Sequence, residues 1–199
     1  MISPRWKRLL ENIEVTEDDS GTEILSCASL LSIEAKEKIV LPEGYKELCQ
    51  TLGTGLLAER VRIFCPTKKY IESERSRLSY AIKRIIEYAE IDLLRNTDRD
   101  QKIISLLESA FTFGDLYNAY YSLIWDLRTY DKSDDSYDIC YINCDTPEVS
   151  EPILLGRDFL EFIESFCYGS KPYNLLPDMF ENLLPHEIKT TFFQFKIDS

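Results

Sequence analysis

The side chains of this chain that could do chemistry are mostly carboxylates, which number 35 against 23 Lys and Arg residues. Four of them, Asp131, Asp134, Asp135 and Asp138, fall in a short segment that contains one cation, Lys132. Such a segment could present negative charge to a basic partner, as nucleic-acid phosphates do. The alternative is a solvated loop without a partner, since charge runs commonly lie in solvent. These four aspartates are candidate partner-binding residues.

Three further candidates lie just before this segment. Trp125 and Asp126 are adjacent in the sequence. Trp often anchors protein interfaces, and the neighbouring carboxylate could pair with an Arg or Lys of a partner. The alternative is a core Trp on a central strand, with Asp126 on the opposite face. Asp115 follows Gly114, where its side chain either contacts a partner or accepts backbone N–H groups as a turn former.

The positions of cysteine and histidine argue against a metal site and against nucleophilic catalysis. On an extended strand, Cys140 and Cys144 would lie roughly 13 Å apart at about 3.3 Å per residue. Two ligands of one zinc ion must approach within about 4 Å of each other. The single histidine, His186, follows Pro185, and no Ser or Cys has the context of a nucleophile elbow. We therefore expect no catalytic residue, no metal and no cofactor.

The formal net charge of −12 narrows the class of partner. Nucleic-acid binding depends on Lys and Arg that neutralise phosphates, so direct binding of DNA or RNA is not expected. An anionic membrane surface is disfavoured for the same reason. A basic protein partner is favoured, because complementary charge accelerates encounter and fixes orientation. Residues 67–102 carry nine cations and seven anions, a net of +2, so the remaining residues carry −14.

The sequence also predicts where the protein acts. Residues 1–10 are basic at Arg5, Lys7 and Arg8, but no apolar stretch follows, so they do not predict a signal peptide. No apolar run approaches the roughly 20 residues of a bilayer span. We therefore expect a cytoplasmic protein, with a monomer favoured and with its six cysteines reduced.

Helical periodicity dominates the first half of the chain. It predicts helices over residues 5–13 and 29–39, and a third from Pro42 to Gly53. The third helix places apolar residues at positions i, i+3, i+4 and i+7, namely Tyr45, Leu48, Cys49 and Leu52. Residues 67–110 predict a long helical insertion. Between these helices the acidic stretch Glu14 to Glu23 predicts a solvated loop, and residues 56–65 predict one strand that ends at Pro66.

Strand patterns dominate the second half. Residues 120–127 and 137–144 predict two strands joined by a polar hairpin turn at 132–135, and residues 152–155 predict a further short strand. A helix with Phe159, Phe162, Ile163 and Phe166 inward should follow Asp158. The tail, 170–199, should contain a short helix near 179–183 and end in an edge strand over 191–197, with Phe193, Phe195 and Ile197 alternating. Helices and strands segregated in this way indicate an α+β fold.

The order of these motifs resembles the SUKH superfamily. That family pattern has a Leu-Pro-x-x-Tyr helix that stops at Gly, a meander with Gly-Asp and Trp-Asp elements, and a closing Phe-rich helix. The chain offers Leu41-Pro42-Glu43-Gly44-Tyr45 and later Gly53, then Gly114-Asp115 and Trp125-Asp126, and finally the helix at 156–163. The resemblance implies a single domain over 1–199, with an antiparallel meander packed against N- and C-terminal helices and a helical insertion after the first strand.

The resemblance also implies a function without catalysis. Many bacterial members of the superfamily are immunity proteins that bind and neutralise a cognate toxin, often a nuclease. We therefore expect a bacterial immunity protein that binds a basic toxin non-covalently. The first alternative is a cytosolic scaffold or regulator on the same fold. The second is a hydrolase acting on a cationic substrate, which would need a pocket holding two carboxylates with raised pKa values.

Overall fold

The computed structural model describes residues 2–17, 21–91, 97–116, 121–144, 149–171 and 189–196. The fold is α+β, as the sequence predicts. The strands are β1 (Glu14–Glu17), β2 (Gly55–Leu57), β3 (Val61–Ile63), β4 (Ala110–Leu116), β5 (Tyr121–Asp131), β6 (Ser136–Asn143), β7 (Ile153–Gly156) and β8 (Thr191–Gln194). The helices are α1 (Pro4–Leu10), α2 (Cys27–Glu37), α3 (Glu43–Thr51), α4 (Lys68–Ile91), α5 (Thr97–Glu108) and α6 (Phe159–Glu161), which continues into a π-helical turn, Phe162–Cys167.

The strands form one sheet in the order β1-β8-β2-β3-β4-β5-β6-β7. From β2 to β7 each strand pairs antiparallel with the next in sequence, so the predicted meander is confirmed. The predicted helical insertion is α4 and α5, which follow β3. The strand β8 lies between β1 and β2, parallel to β1 and antiparallel to β2.

An aromatic core fills the face of the sheet that α1, α2, α3 and α6 cover. Trp125 of β5 stacks on Phe113 of β4 with ring centroids 4.5 Å apart. Tyr45 of α3 meets Trp125 edge-on at 4.9 Å, and Phe159 of α6 meets Tyr45 at 5.4 Å. The predicted inward faces of the third helix and of the Phe-rich helix are thus the faces that are buried.

A second core lies on the opposite face, where α4 and α5 cover the sheet. Ile124 and Ile142 point to this face, whereas their neighbours Trp125 and Tyr141 point to the first core. Because both faces are covered, β6 is buried almost throughout, although it lies next to the edge strand β7. Among the helices that the structure describes, none has the length and apolar character needed to cross a bilayer.

Capping side chains set where several helices begin. The Ser3 hydroxyl accepts from the Trp6 amide at the start of α1, and Asp158 accepts from the Glu161 amide at the start of α6. Ser26 does the same for α2 by accepting from the Ser29 amide. The helix α3 has Pro42 at its N-cap position, which provides no side-chain acceptor, so its capping group must come from another element.

Two predictions about the first strands are wrong. Residues 56–65 form a hairpin rather than one strand, because Ala58 and Glu59 adopt positive φ angles of 51° and 59° and reverse the chain between β2 and β3. The stretch Glu14 to Glu23 is not entirely a loop, since its first four residues form β1. All four are exposed, and the acidic composition hid a strand that pairs only along one edge.

Two predictions about later strands are also wrong. Asp115 is not a turn former, because Gly114 and Asp115 lie within β4, where a Cβ on Gly114 would meet the Arg62 carbonyl at 2.4 Å. The strand β8 is not an edge strand, and it buries Phe192 and Gln194 rather than Phe193. The predicted helix near 179–183 lies outside the described residues, as do His186 and Pro185.

We expect the substitution Trp125→Ala to lower the free energy of unfolding by about 3–5 kcal/mol. The side chain is 1% exposed and its indole N–H has no hydrogen-bond partner in the described parts of the chain, so its contribution is packing alone. Urea denaturation measures the loss. The control Leu154→Ala removes a side chain that is 55% exposed and should cost less than about 0.5 kcal/mol. Equal losses in the two variants would contradict the packing role.

Candidate functional site

Two of the candidate aspartates are engaged in ion pairs with arginines. The Nε and Nη2 atoms of Arg62 donate to the two carboxylate oxygens of Asp115 at 2.6 and 2.8 Å. Arg128 holds Asp126 in the same way, at 2.8 and 2.6 Å. Both carboxylates are largely buried. Since two-pronged pairing matches each charge within the molecule, these two sites present little net charge to a partner.

Three more candidates are also occupied within the molecule. Trp125 lies in the aromatic core, which is the structural alternative given above. Asp138 forms an ion pair with Arg157. Asp131 lies at the outer end of the β5–β6 hairpin and accepts hydrogen bonds from the amide and the hydroxyl of Ser133 at 2.8 and 2.7 Å. Asp131 is exposed and has no ion-pair partner in the described ranges, whereas Asp138 is paired.

Asp134 and Asp135 occupy the predicted hairpin turn and open onto a groove that the sequence did not predict. The groove has a volume of about 430 Å³ and lies between this turn, the start of α1, the start of α3 and α6. Its apolar lining consists of Pro42, Phe159 and Leu160. Its charged lining consists of five carboxylates and one cation, namely Glu43, Glu47, Asp134, Asp135, Asp158 and Arg5. We call this feature the acidic groove.

The turn carboxylates are held by neutral donors. Asp135 accepts from the Glu43 amide at 2.7 Å and from the Tyr130 hydroxyl at 3.1 Å. It thereby supplies from the hairpin turn the capping group that α3 lacks in its own sequence. Asp134 accepts from the Ser136 hydroxyl at 2.6 Å. These bonds fix the positions of the two carboxylates but leave their negative charges unmatched.

Of the three other carboxylates of the acidic groove, one is held by neutral donors and two are paired with cations. Glu47 is 8% exposed and accepts from the amide and the hydroxyl of Ser3, the latter at 2.9 Å. The side chain of Glu43 is 74% exposed and contacts Lys46. Arg5 pairs with Asp158 at 2.9 Å and also with Glu164. The groove therefore keeps a clear excess of negative charge.

Glu74 and Asp115 meet one of the two requirements for a hydrolase, which are raised carboxylate pKa values and a shared pocket. Burial raises the pKa values of Glu74 and Asp115 above their ordinary values, although Arg77 and Arg62 respectively oppose the shift. A cavity of about 430 Å³ between α4, α5 and β4 is lined by Glu74 but not by Asp115. The two acids therefore do not converge on that cavity, and each already faces an arginine.

Cys140 and Cys144 are the two cysteines whose spacing was considered for a metal site. Cys140 lies on β6 and Cys144 follows that strand. Both thiols are buried, and neither forms a disulfide. In the parts of the chain that the structure describes, no three His, Cys, Asp or Glu side chains are grouped so that they could hold a metal ion.

Most of the acidic groove could not be found by scanning for dense charge. Its residues come from positions 3–5, 42–47, 134–135 and 158–160, and only the third group falls in the acidic segment. Two of its carboxylates could have been recognised from their positions in the sequence. Glu43 and Asp158 lie at helix starts, where the helix dipole stabilises carboxylates. Two acidic helix starts and one acidic turn meet at the same end of the sheet.

Comparisons with known proteins complete the description of the site. No protein-family model matches the chain, and neither a curated protein nor a solved structure is significantly similar to it. The resemblance to the SUKH superfamily remains a prediction from the order of motifs. The function therefore has to be argued from the geometry of the acidic groove.

The pairs Asp115–Arg62 and Asp126–Arg128 make a testable contrast. Burial raises the pKa of Asp115 above its ordinary value of 3.8. At Asp126 burial is again the largest influence, but the hydrogen bonds from Arg128 together outweigh it and lower the pKa below 3.8. Carboxyl-carbon NMR titration should therefore give Asp115 the higher midpoint. A midpoint for Asp115 below that of Asp126 would contradict the difference in desolvation.

The two aspartates should contribute to stability in opposite directions. The contribution of Asp126 is present above its unfolded pKa and lost as the pH falls through its lowered folded pKa. That of Asp115 favours the folded state below its unfolded pKa and fades as the pH rises through its raised folded pKa. Asp126→Asn should therefore flatten the acid side of the stability curve, measured by denaturant unfolding between about pH 2 and pH 6. Unchanged acid dependence in this variant would contradict the assignment.

Proposed function

We propose that this protein is a non-catalytic binding domain whose acidic groove takes a basic segment of a partner protein. We further propose that it is a bacterial immunity protein of SUKH type, which neutralises a cognate toxin in the cytoplasm. One observation carries the proposal: five carboxylates and one cation line a groove with an apolar floor, and neutral donors hold most of those carboxylates in place.

Fixed carboxylates suit this role because binding then costs little reordering. Asp135 and Glu47 are each held by two donors before any partner arrives. A groove whose side chains are already ordered loses less conformational entropy on association. A cation of the partner that enters the groove meets Glu47, Asp134 and Asp135, whose hydrogen-bond donors are all neutral. Close charge pairs across protein interfaces have coupling energies of roughly 1.5–7 kcal/mol.

The lining indicates the chemistry of the complementary segment. Lys or Arg side chains would meet Glu43, Asp134 and Asp135, while an apolar side chain between them would contact Phe159 and Leu160. A nuclease toxin presents cations where it binds the phosphates of its substrate. Occupation of such a surface by the acidic groove would prevent substrate approach without any covalent step.

The direct test is co-expression with the toxin-like product of a neighbouring gene. The proposal expects a stable complex and loss of toxicity when the two proteins are produced together. If a complex forms with an endogenous basic protein and no toxin is encoded nearby, the scaffold or regulator alternative replaces the immunity role. If no complex forms with any basic partner, the binding proposal itself is wrong.

We predict that the double variant Glu43→Gln/Asp134→Asn weakens partner binding by about 10- to 100-fold at low salt, because the groove loses two of its five negative charges. The amide introduced by Asp134→Asn can still accept from Ser136. The Glu43 carboxylate is largely exposed where it meets Lys46, so its loss should cost little stability. The matched control Glu72→Gln/Asp131→Asn removes two exposed charges outside the groove and should leave affinity nearly unchanged. Titration calorimetry at two salt concentrations measures both variants. Equal weakening by both would show that net charge alone, rather than the groove, drives binding.

A further inference from the structure

A third cavity lies on the other face of the sheet from the acidic groove. It has a volume of about 620 Å³, opens to solvent, and is lined by residues of α5, β5 and β6 and by residues 151–152. Small-molecule sites commonly have volumes of about 300–1,000 Å³, with an apolar lining and a few polar groups. The cavity meets this description, and the proposed function does not use it.

The floor of the cavity is apolar. It consists of Ile103 and Leu106 of α5, Cys140 of β6 and Pro152. Ile103, Leu106 and Cys140 are each at least nine-tenths buried. Burial raises the pKa of the Cys140 thiol to about 11, so the thiol is uncharged at neutral pH and acts as a further apolar surface. The floor therefore suits an apolar body of a ligand.

Charged groups of both signs surround this floor, and most of them are paired. Asp126 and Arg128 form the two-pronged ion pair already described. Arg99 Nε lies 3.4 Å from a carboxylate oxygen of Glu151. Two of the three anions in the lining are thus matched by two of the three cations.

The two charges that remain are Asp98 and Lys102, one turn apart on α5. Both are exposed, and neither side chain forms an ion pair or hydrogen bond with any residue in the described ranges. Residues four apart on a helix lie on one face with about 5–6 Å between their Cβ atoms. The rim of the cavity therefore presents one carboxylate and one ammonium group side by side above an apolar floor.

We propose that this cavity binds a small zwitterion with an apolar side chain, of the chemical class of an aromatic amino acid. The ligand's ammonium group pairs with Asp98, its carboxylate pairs with Lys102, and its side chain lies against Leu106 and Cys140. A ligand with only one charge would leave one of the two rim residues unmatched. The net charge of −12 also repels free monoanions, whereas it exerts little net force on a zwitterion.

Four related compounds separate the two charges of the ligand. L-phenylalanine carries both, L-phenylalaninamide only the ammonium, N-acetyl-L-phenylalanine only the carboxylate, and N-acetyl-L-phenylalaninamide neither. Binding is measured by amide NMR shifts of α5 and β6 in the full chain. We expect L-phenylalanine to bind at least about tenfold more tightly than each of the others, which corresponds to about 1.4 kcal/mol. Equal binding of all four, or binding of none, would overturn the proposal.

Charge-removing variants assign each pairing. Asp98→Asn should abolish the preference for L-phenylalanine over its N-acetyl form, and Lys102→Gln should abolish the preference over its amide. The control is the exposed pair Lys83 and Glu87 on α4, which has the same spacing; Lys83→Gln/Glu87→Gln should change neither preference. Both rim residues are exposed, so these variants should fold normally. Retention of both preferences in Asp98→Asn and Lys102→Gln would overturn the assignment.

Discussion

The position of Tyr45 determines the geometry of the acidic-groove end of the molecule. Its ring lies against Trp125, Phe113 and Phe159, and its hydroxyl donates to the Phe64 carbonyl at 2.5 Å. This one side chain therefore fixes α3 to the sheet and to α6. Burial raises the pKa of Tyr45 well above its ordinary value, so the hydroxyl remains a donor at any physiological pH. Since α3, α6 and the β5–β6 turn form the acidic groove, its shape depends on this packing.

Local patterns were sufficient for most of the elements. The spacing of Tyr45, Leu48 and Cys49 identified a buried helical face, and Phe159 with Phe162 identified another. These predictions were correct because the spacing of apolar residues along a helix shows directly which side of the helix packs against the core. The same reasoning gave the wrong buried face for β8. Phe192 and Phe193 are adjacent and both aromatic, so the alternation of apolar residues does not show which of them is buried. The buried position belongs to Phe192, and Gln194 is buried because its amide donates to the Leu52 carbonyl.

The candidate site was harder to predict than the fold, because charge in a sequence does not reveal its partner. Asp115 is neutralised because the strand register places Arg62 directly opposite it, and that register is a long-range property. Asp135 keeps its charge because its partners are an amide and a hydroxyl. The seven candidate residues were thus divided by tertiary pairing into a core residue, three ion-paired carboxylates and three turn carboxylates. Only the three turn carboxylates could be assigned to the surface from the sequence alone, because their exposure does not depend on how the strands pair.

The parallel pairing of β1 with β8 has a consequence for folding. It joins residues 14–17 to residues 191–194, across nearly the whole described chain. Closing so large a loop carries an entropic cost before any contact between the two strands can offset it. The meander from β2 to β7 can assemble from near neighbours, so the docking of β8 is expected to come late. Until then the outer side of β2 exposes unpaired backbone groups, which is the condition under which unfinished sheets recruit strands from other molecules and aggregate.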